Sequence, residues 1–142
     1  MHKLVVSMDT IQIKKIAYTL ELTGTVAETA QRLTKELNSR GFGVLSNIDV
    51  QKIIKEKLGE HIDSYVILDV CNPTHAKKAI DAHKEVGLVL PCKVTIFENH
   101  GKVLVSLYKP TEAVKLLGFT DLDPLASQVE NELRAAIDVL AI

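Results

Sequence analysis

At 142 residues, 46% hydrophobic and 25% charged, the chain has the size and balance of one globular domain rather than a disordered or collagen-like polymer. Seventeen basic against eighteen acidic residues leave a formal charge of -1, which gives no electrostatic reason to expect nucleic acid or an anionic membrane as partner. Aromatic residues make up 4% with no tryptophan, so no base-stacking platform is expected, and no run approaches the roughly 18 apolar residues that span a bilayer.

The first residues, Met1 to Met8, form a short apolar patch containing Lys3. Asp9 and Lys14-Lys15 cut it off before it reaches the roughly 7–15-residue apolar core of a signal peptide. The expectation is a cytoplasmic protein. In that compartment the two cysteines are expected as reduced thiols and not as a disulfide.

Period-two alternation over Ile11–Leu22 predicts a first strand, broken by Gly24. Thr25-Val26-Ala27-Glu28 reads as a capping box, opening a helix with Val26, Ala30, Leu33 and Leu37 on its apolar face and Gly41 as its left-handed stop. Phe42–Ile48 reads as a second strand. Asp49 then caps a helix over Val50–Leu58, closed by Gly59, with Val50, Ile53, Ile54 and Leu58 as its buried stripe. Tyr65–Val70 is the third strand. Asn72-Pro73 combines an N-cap with a proline at the first helical position, so a helix is predicted to about His83, with Ala76, Ala79 and Ile80 facing inward. Cys92–Glu98 is the fourth strand, Asn99–Lys102 a hairpin turn, and Val103–Tyr108 the fifth strand. A short helical turn over Thr111–Leu117 and a last helix opening at Asp123-Pro124 complete the chain, the latter with Leu125, Val129, Leu133, Ala136, Ile137 and Leu140 on one face. With no linker and no repeat, the pattern predicts a single α+β domain of residues 1–142, its core about 11–140. Five strands form a largely antiparallel sheet, and the capping-box and C-terminal helices pack on one face.

Both cysteines lie where strand and helix patterns meet, in Cys71-Asn72-Pro73 and Leu90-Pro91-Cys92-Lys93. The helix N-terminus after Cys71 favours a thiolate there, and Lys93 adds positive potential beside Cys92, although strand neighbours point to opposite faces. If the helix from Asn72 folds back over the sheet, the two thiols approach each other. A close pair can line a ligand pocket, bind a soft metal or exchange as a disulfide. Against these stands the plain reading of two packed small hydrophobes with prolines fixing chain reversals. His2, His61 and His100 fall in a terminus, a loop and a hairpin tip, and no nucleophile elbow or phosphate loop is present.

Gly41-Phe42-Gly43-Val44-Leu45, Ile48-Asp49-Val50 and Lys57-Leu58-Gly59 precede Cys71-Asn72-Pro73 with Ala76, and then Gly87-Leu88 through Leu90-Pro91-Cys92 to Val94. In this order the motifs resemble the bacterial and archaeal family called domain of unknown function 302, over nearly the whole chain from Ile13 to Leu140. The resemblance implies a TATA-binding-protein-like α+β fold that self-associates; it implies no activity. His75 departs from the apolar residue more usual at its position, so a role for His75 would belong to this protein and not to its family.

The sequence reading is therefore a small-molecule or metal-binding module, with Cys71, Asn72, Pro91, Cys92 and Lys93 as candidate ligand-binding residues. Cys71, His75 and Cys92 are a weaker candidate set for a soft metal ion. A thiol-dependent enzyme or redox protein using Cys71 or Cys92, and a purely structural or interaction domain, stand as alternatives. A homodimer is expected. The apolar tail Val139-Leu140-Ala141-Ile142 and the leucines around the last helix's entry are its candidate surface.

Overall fold

The computed structural model describes residues 12–141. Alternating apolar residues build β1 (Ala17–Leu22), β2 (Gly43–Asp49), β3 (Tyr65–Cys71), β4 (Cys92–Asn99) and β5 (Lys102–Tyr108). They pair antiparallel throughout in the order β1-β5-β4-β3-β2. Between them run α1 (Val26–Ser39), α2 (Val50–Leu58), α3 (Pro73–Ala82), α4 (Pro110–Leu116) and α5 (Asp123–Val139). Two 3-10 turns, Lys84–Val89 and Thr120–Leu122, lead into β4 and α5. This is the α+β domain with a five-stranded antiparallel sheet that the sequence pattern predicts.

The register decides which face is core. Leu107, Val94 and Leu68 lie side by side on three strands, as do Val105, Ile96 and Val66 on the next row. All six are buried, four of them at 0% exposure. Leu33 and Leu37 from α1 and Leu133, Ala136 and Ile137 from α5 close over this face in one cluster. Each such Val, Leu or Ile side chain contributes roughly 1.5–3 kcal/mol by leaving water.

Local chemistry holds α1 and α5 in place. Thr25 Oγ1 accepts from the Glu28 amide at 3.1 Å, although only the Thr25 half of the expected capping box appears among the described hydrogen bonds. At the other end, Phe42 N–H bonds Leu37 O at 2.9 Å and Gly41, at φ 85, bonds Asn38 O. This double closure turns Phe42 inward to 2% exposure. Arg32 donates to the carbonyl of Leu140 at 3.2 Å, tying α1 to the end of α5. Tyr18 on β1 donates its hydroxyl to Asp138, and the Arg134 guanidinium lies 4.2 Å over the Tyr18 ring.

Four sequence expectations are corrected. Residues 12–16 are helical and β1 begins at Ala17; Ile11 lies outside the described residues. Ile13 and Ile16 are both exposed, so nothing draws that stretch onto the sheet. The α2 stripe is not buried: Ile53 and Leu58 are 43% and 63% exposed, because this helix lies outside the main cluster. Ile80 faces solvent, while Ala79 is the α3 residue packed inward. Leu140 is 4% exposed within the core, so the tail is folded onto its own domain and does not present Leu140 as a surface; Ile142 lies outside the described residues.

On the opposite face, Thr19, Ser106, Thr95, Ile67 and Ile48 form one row across all five strands, and Glu21, Leu104, Phe97 and Tyr65 the next. None of these is buried. The Tyr65 and Phe97 rings stack there with centroids 5.4 Å apart.

Candidate functional site

The site begins with strand register. Val70 pairs with Cys92, which brings the end of β3, where Cys71 sits, beside the start of β4. Asn72 then leaves the sheet and caps α3, its Oδ1 accepting from His75 N–H at 3.1 Å, with Pro73 in the first turn. The chain returns through the 3-10 turn and a cis Leu90-Pro91 bond into Cys92. A second small cluster, Ala79, Val86, Val114, Leu122 and Ala126, packs around this return.

Between the two clusters lies a half-open cavity of about 70 Å³. Cys71, Asn72, His75, Pro91, Cys92 and Lys93 line it together with Phe42, Tyr108 and aliphatic residues of α3, α4 and α5. Small side chains leave the space: Ala76 and Ala79 from α3, Ala113 from α4 and Ala126 from α5.

His75 is the anomaly in this wall. Its side chain is only 13% exposed, its Nε2 lies 2.9 Å from Glu132 Oε2 on α5, and its buried Nδ1 has no hydrogen-bond partner. Gln128 Nε2 lies 3.5 Å from the other Glu132 oxygen, at the outer limit of a hydrogen bond. The Phe42 ring stands 6.2 Å from the imidazole.

The sequence pattern of the family described as "Domain of unknown function DUF302" matches residues 18–140. The chain belongs to the DUF302 family. It is similar to a solved structure, the crystal structure of an uncharacterized conserved protein DUF302 from Bacillus stearothermophilus. The two are 32% identical, with a TM-score of 0.82 over 87% of this chain and 96% of that one. No curated protein matches the chain. DUF302 membership carries no assigned activity.

Within this DUF302 domain the two cysteine motifs converge on one cavity. The electrostatics differ from the sequence expectation. Burial pushes the Cys92 thiol up to about 11, and the neighbouring Cys71 adds to the rise. Lys93 does not counter it. Its ammonium donates to Asp69, which also accepts from the Ser46 hydroxyl at 2.5 Å. Those two bonds hold the Asp69 carboxyl below the usual carboxylate range. Lys93 thus lines the cavity with its charge already engaged.

Among the described residues no three of His, Cys, Asp and Glu are placed to hold a metal ion. Cys71, His75 and Cys92 share the cavity wall without forming a ligand set. Glu132 was not legible as a site residue, because 57 positions separate it from His75 and nothing local marks it. The inward alanines were the available signal for a space.

Proposed function

We propose that this chain is a non-enzymatic binding module that takes the end of a small, largely apolar molecule into the cavity between Cys71-Asn72-Pro73 and Leu90-Pro91-Cys92-Lys93. The observation that carries the reading is the convergence of both motifs on one apolar space. A purely structural role fits less well. Filling 70 Å³ with side chains stabilises a fold by roughly 2 kcal/mol, yet four alanines keep it open. At about 70 Å³ the cavity is about half the ~150 Å³ that holds benzene in an engineered cavity, so a ligand enters in part and extends through its open side.

A thiol-dependent enzyme is the second reading, and the raised Cys92 pKa weighs against it at that residue, because the nucleophile is the thiolate. A soft metal on Cys71, His75 and Cys92 has less support still, for want of a converging donor set. In this reading the thiols are walls of the pocket. Reduced thiols suit the cytoplasm, and we propose that compartment. We propose also that the protein works as a homodimer. The open sheet face with Ile48, Ile67, Tyr65, Phe97 and Leu104 supports this, because a two-fold contact covers it on both copies at once.

Amide chemical-shift mapping with toluene as an apolar probe tests the binding reading. Shifts centred on Cys71, Ala79, Cys92 and Ala126 are expected, and Ala79→Leu, which fills the space, removes them while leaving the remaining amides unmoved. No saturable shift, or shifts centred elsewhere, overturns it.

A further inference from the structure

The geometry of His75 points to the class of ligand. We infer that the cavity selects a neutral apolar molecule carrying one hydroxyl, which donates its hydrogen bond to His75 Nδ1. This rests on the binding reading above and adds the polar anchor to it.

The proton inventory of the ring carries the argument. Nε2 faces Glu132 at 2.9 Å, and an ionised carboxylate only accepts, so Nε2 is the nitrogen that bears the proton. A ring carrying that single proton presents Nδ1 as a bare lone pair. Glu132 is a positioning residue in this scheme: it fixes the tautomer, as carboxylate partners of imidazoles do elsewhere. Nδ1 is buried, lacks a partner, and belongs to a residue that lines the cavity. A buried acceptor without a donor is unfavourable, and a ligand hydroxyl relieves it.

The rest of the lining sets the other half of the selection. Lys93 is the lysine in the wall, and its ammonium is held by Asp69, so it offers no free cation to a carboxylate or phosphate. The Asn72 side-chain oxygen is occupied by the His75 amide. Cys92 is a neutral thiol. Acids and phosphate esters therefore meet no free positive charge, whereas a phenol or a small alcohol finds a largely apolar wall and an acceptor in His75 Nδ1.

Phenol, toluene and benzoate at pH 8 form the test, followed by amide and ring-nitrogen NMR on the full chain. Phenol is expected to bind about tenfold tighter than toluene, and benzoate weaker than either. On phenol binding the His75 Nδ1 resonance moves as a lone pair accepting a proton donor, and free protein shows the Nε2–H tautomer. His75→Phe is expected to remove the preference for phenol over toluene. Glu132→Ala narrows the gap and mixes the tautomers, an effect that a packing role would not produce. Equal binding of phenol and toluene to the unaltered protein, or an Nδ1–H tautomer in the free protein, overturns the hydroxyl inference but leaves the apolar cavity. No binding of any of the three overturns both.

Discussion

Cys92 is where burial can be read as a rate. The Cys71→Ser variant leaves Cys92 as the one thiol of the chain and keeps the main cause of its raised pKa, the loss of water around it. A thiol moved from 9.0 to about 11 is about 0.1% thiolate at pH 8, where an ordinary one is about 10%. Iodoacetamide should therefore alkylate the folded variant at least about a hundredfold more slowly than the same chain in urea. The folded rate should climb about tenfold per pH unit until near pH 11. The same difference bears on stability, with a definite sign. Below pH 9 the thiol is neutral in both states and contributes nothing to the pH dependence. Between about 9 and 11 the unfolded chain ionises and the folded one does not, so stability falls by up to roughly 3 kcal/mol across that window. Urea denaturation from pH 8 to 11 reads that slope, and Cys92→Ala should lose it. An alkylation profile that levels off below pH 9, or identical alkaline slopes with and without the Cys92 thiol, would refute the burial argument.

Glu130, 8% exposed, accepts from the Thr111 amide at 3.2 Å and its hydroxyl at 2.7 Å, and so caps α4 from α5. Glu130→Ala strands both donors and should cost about 2–3 kcal/mol in urea denaturation at pH 7, with Glu130→Gln costing less; an unchanged midpoint for the alanine variant would contradict the cap. Asp69 is held below its ordinary 3.8 by Lys93 and Ser46, so its contribution is present above that pH and disappears as pH falls through the lowered value. Asp69→Asn should cost no more than about 1 kcal/mol at pH 7, because Lys93 is half exposed, and should flatten the acid limb of a stability profile; a steeper limb would refute it. Light scattering should give twice the 15.6 kDa chain mass, and Phe97→Lys on the open sheet face should halve it without loss of circular dichroism; a mass of 15.6 kDa for the unaltered protein would remove the dimer.

How much was legible depended on how local each signal was. Asn72-Pro73, Asp49 with Gly59, and Gly41 with Phe42 are cap motifs complete within a few residues, and each lies where the sequence puts it. The strands of β3, β4 and β5 read correctly because alternation there coincides with burial. Alternation misled over 12–16, where Ile16 keeps the phase of Tyr18, Leu20 and Leu22 but is exposed, with no core to meet. The stripe of α2 misled in the same way: periodicity states that a face is apolar, not that anything covers it. The convergence of the two cysteine motifs was foreseeable only as a condition on how α3 returns. Glu132 was out of reach, because a carboxylate brought over 57 positions leaves no trace near His75.

The strand order has a consequence for synthesis. β1 pairs with β5 alone among the described strands, and Ala17 meets Tyr108 about ninety residues later. At 5–20 residues per second β1 leaves the ribosome roughly 5–20 s before its partner exists. The run from β2 to β5 suffers no such delay, since each strand finds its neighbour as it emerges. During the wait Tyr18, Leu20 and Leu22 form an unmatched apolar edge of the kind that recruits foreign strands. Lys14 and Lys15 stand immediately before it, and Thr19 and Glu21 alternate along it. The charges of Lys14, Lys15 and Glu21 act as gatekeepers, guarding the nascent chain in the interval before the last strand closes the sheet.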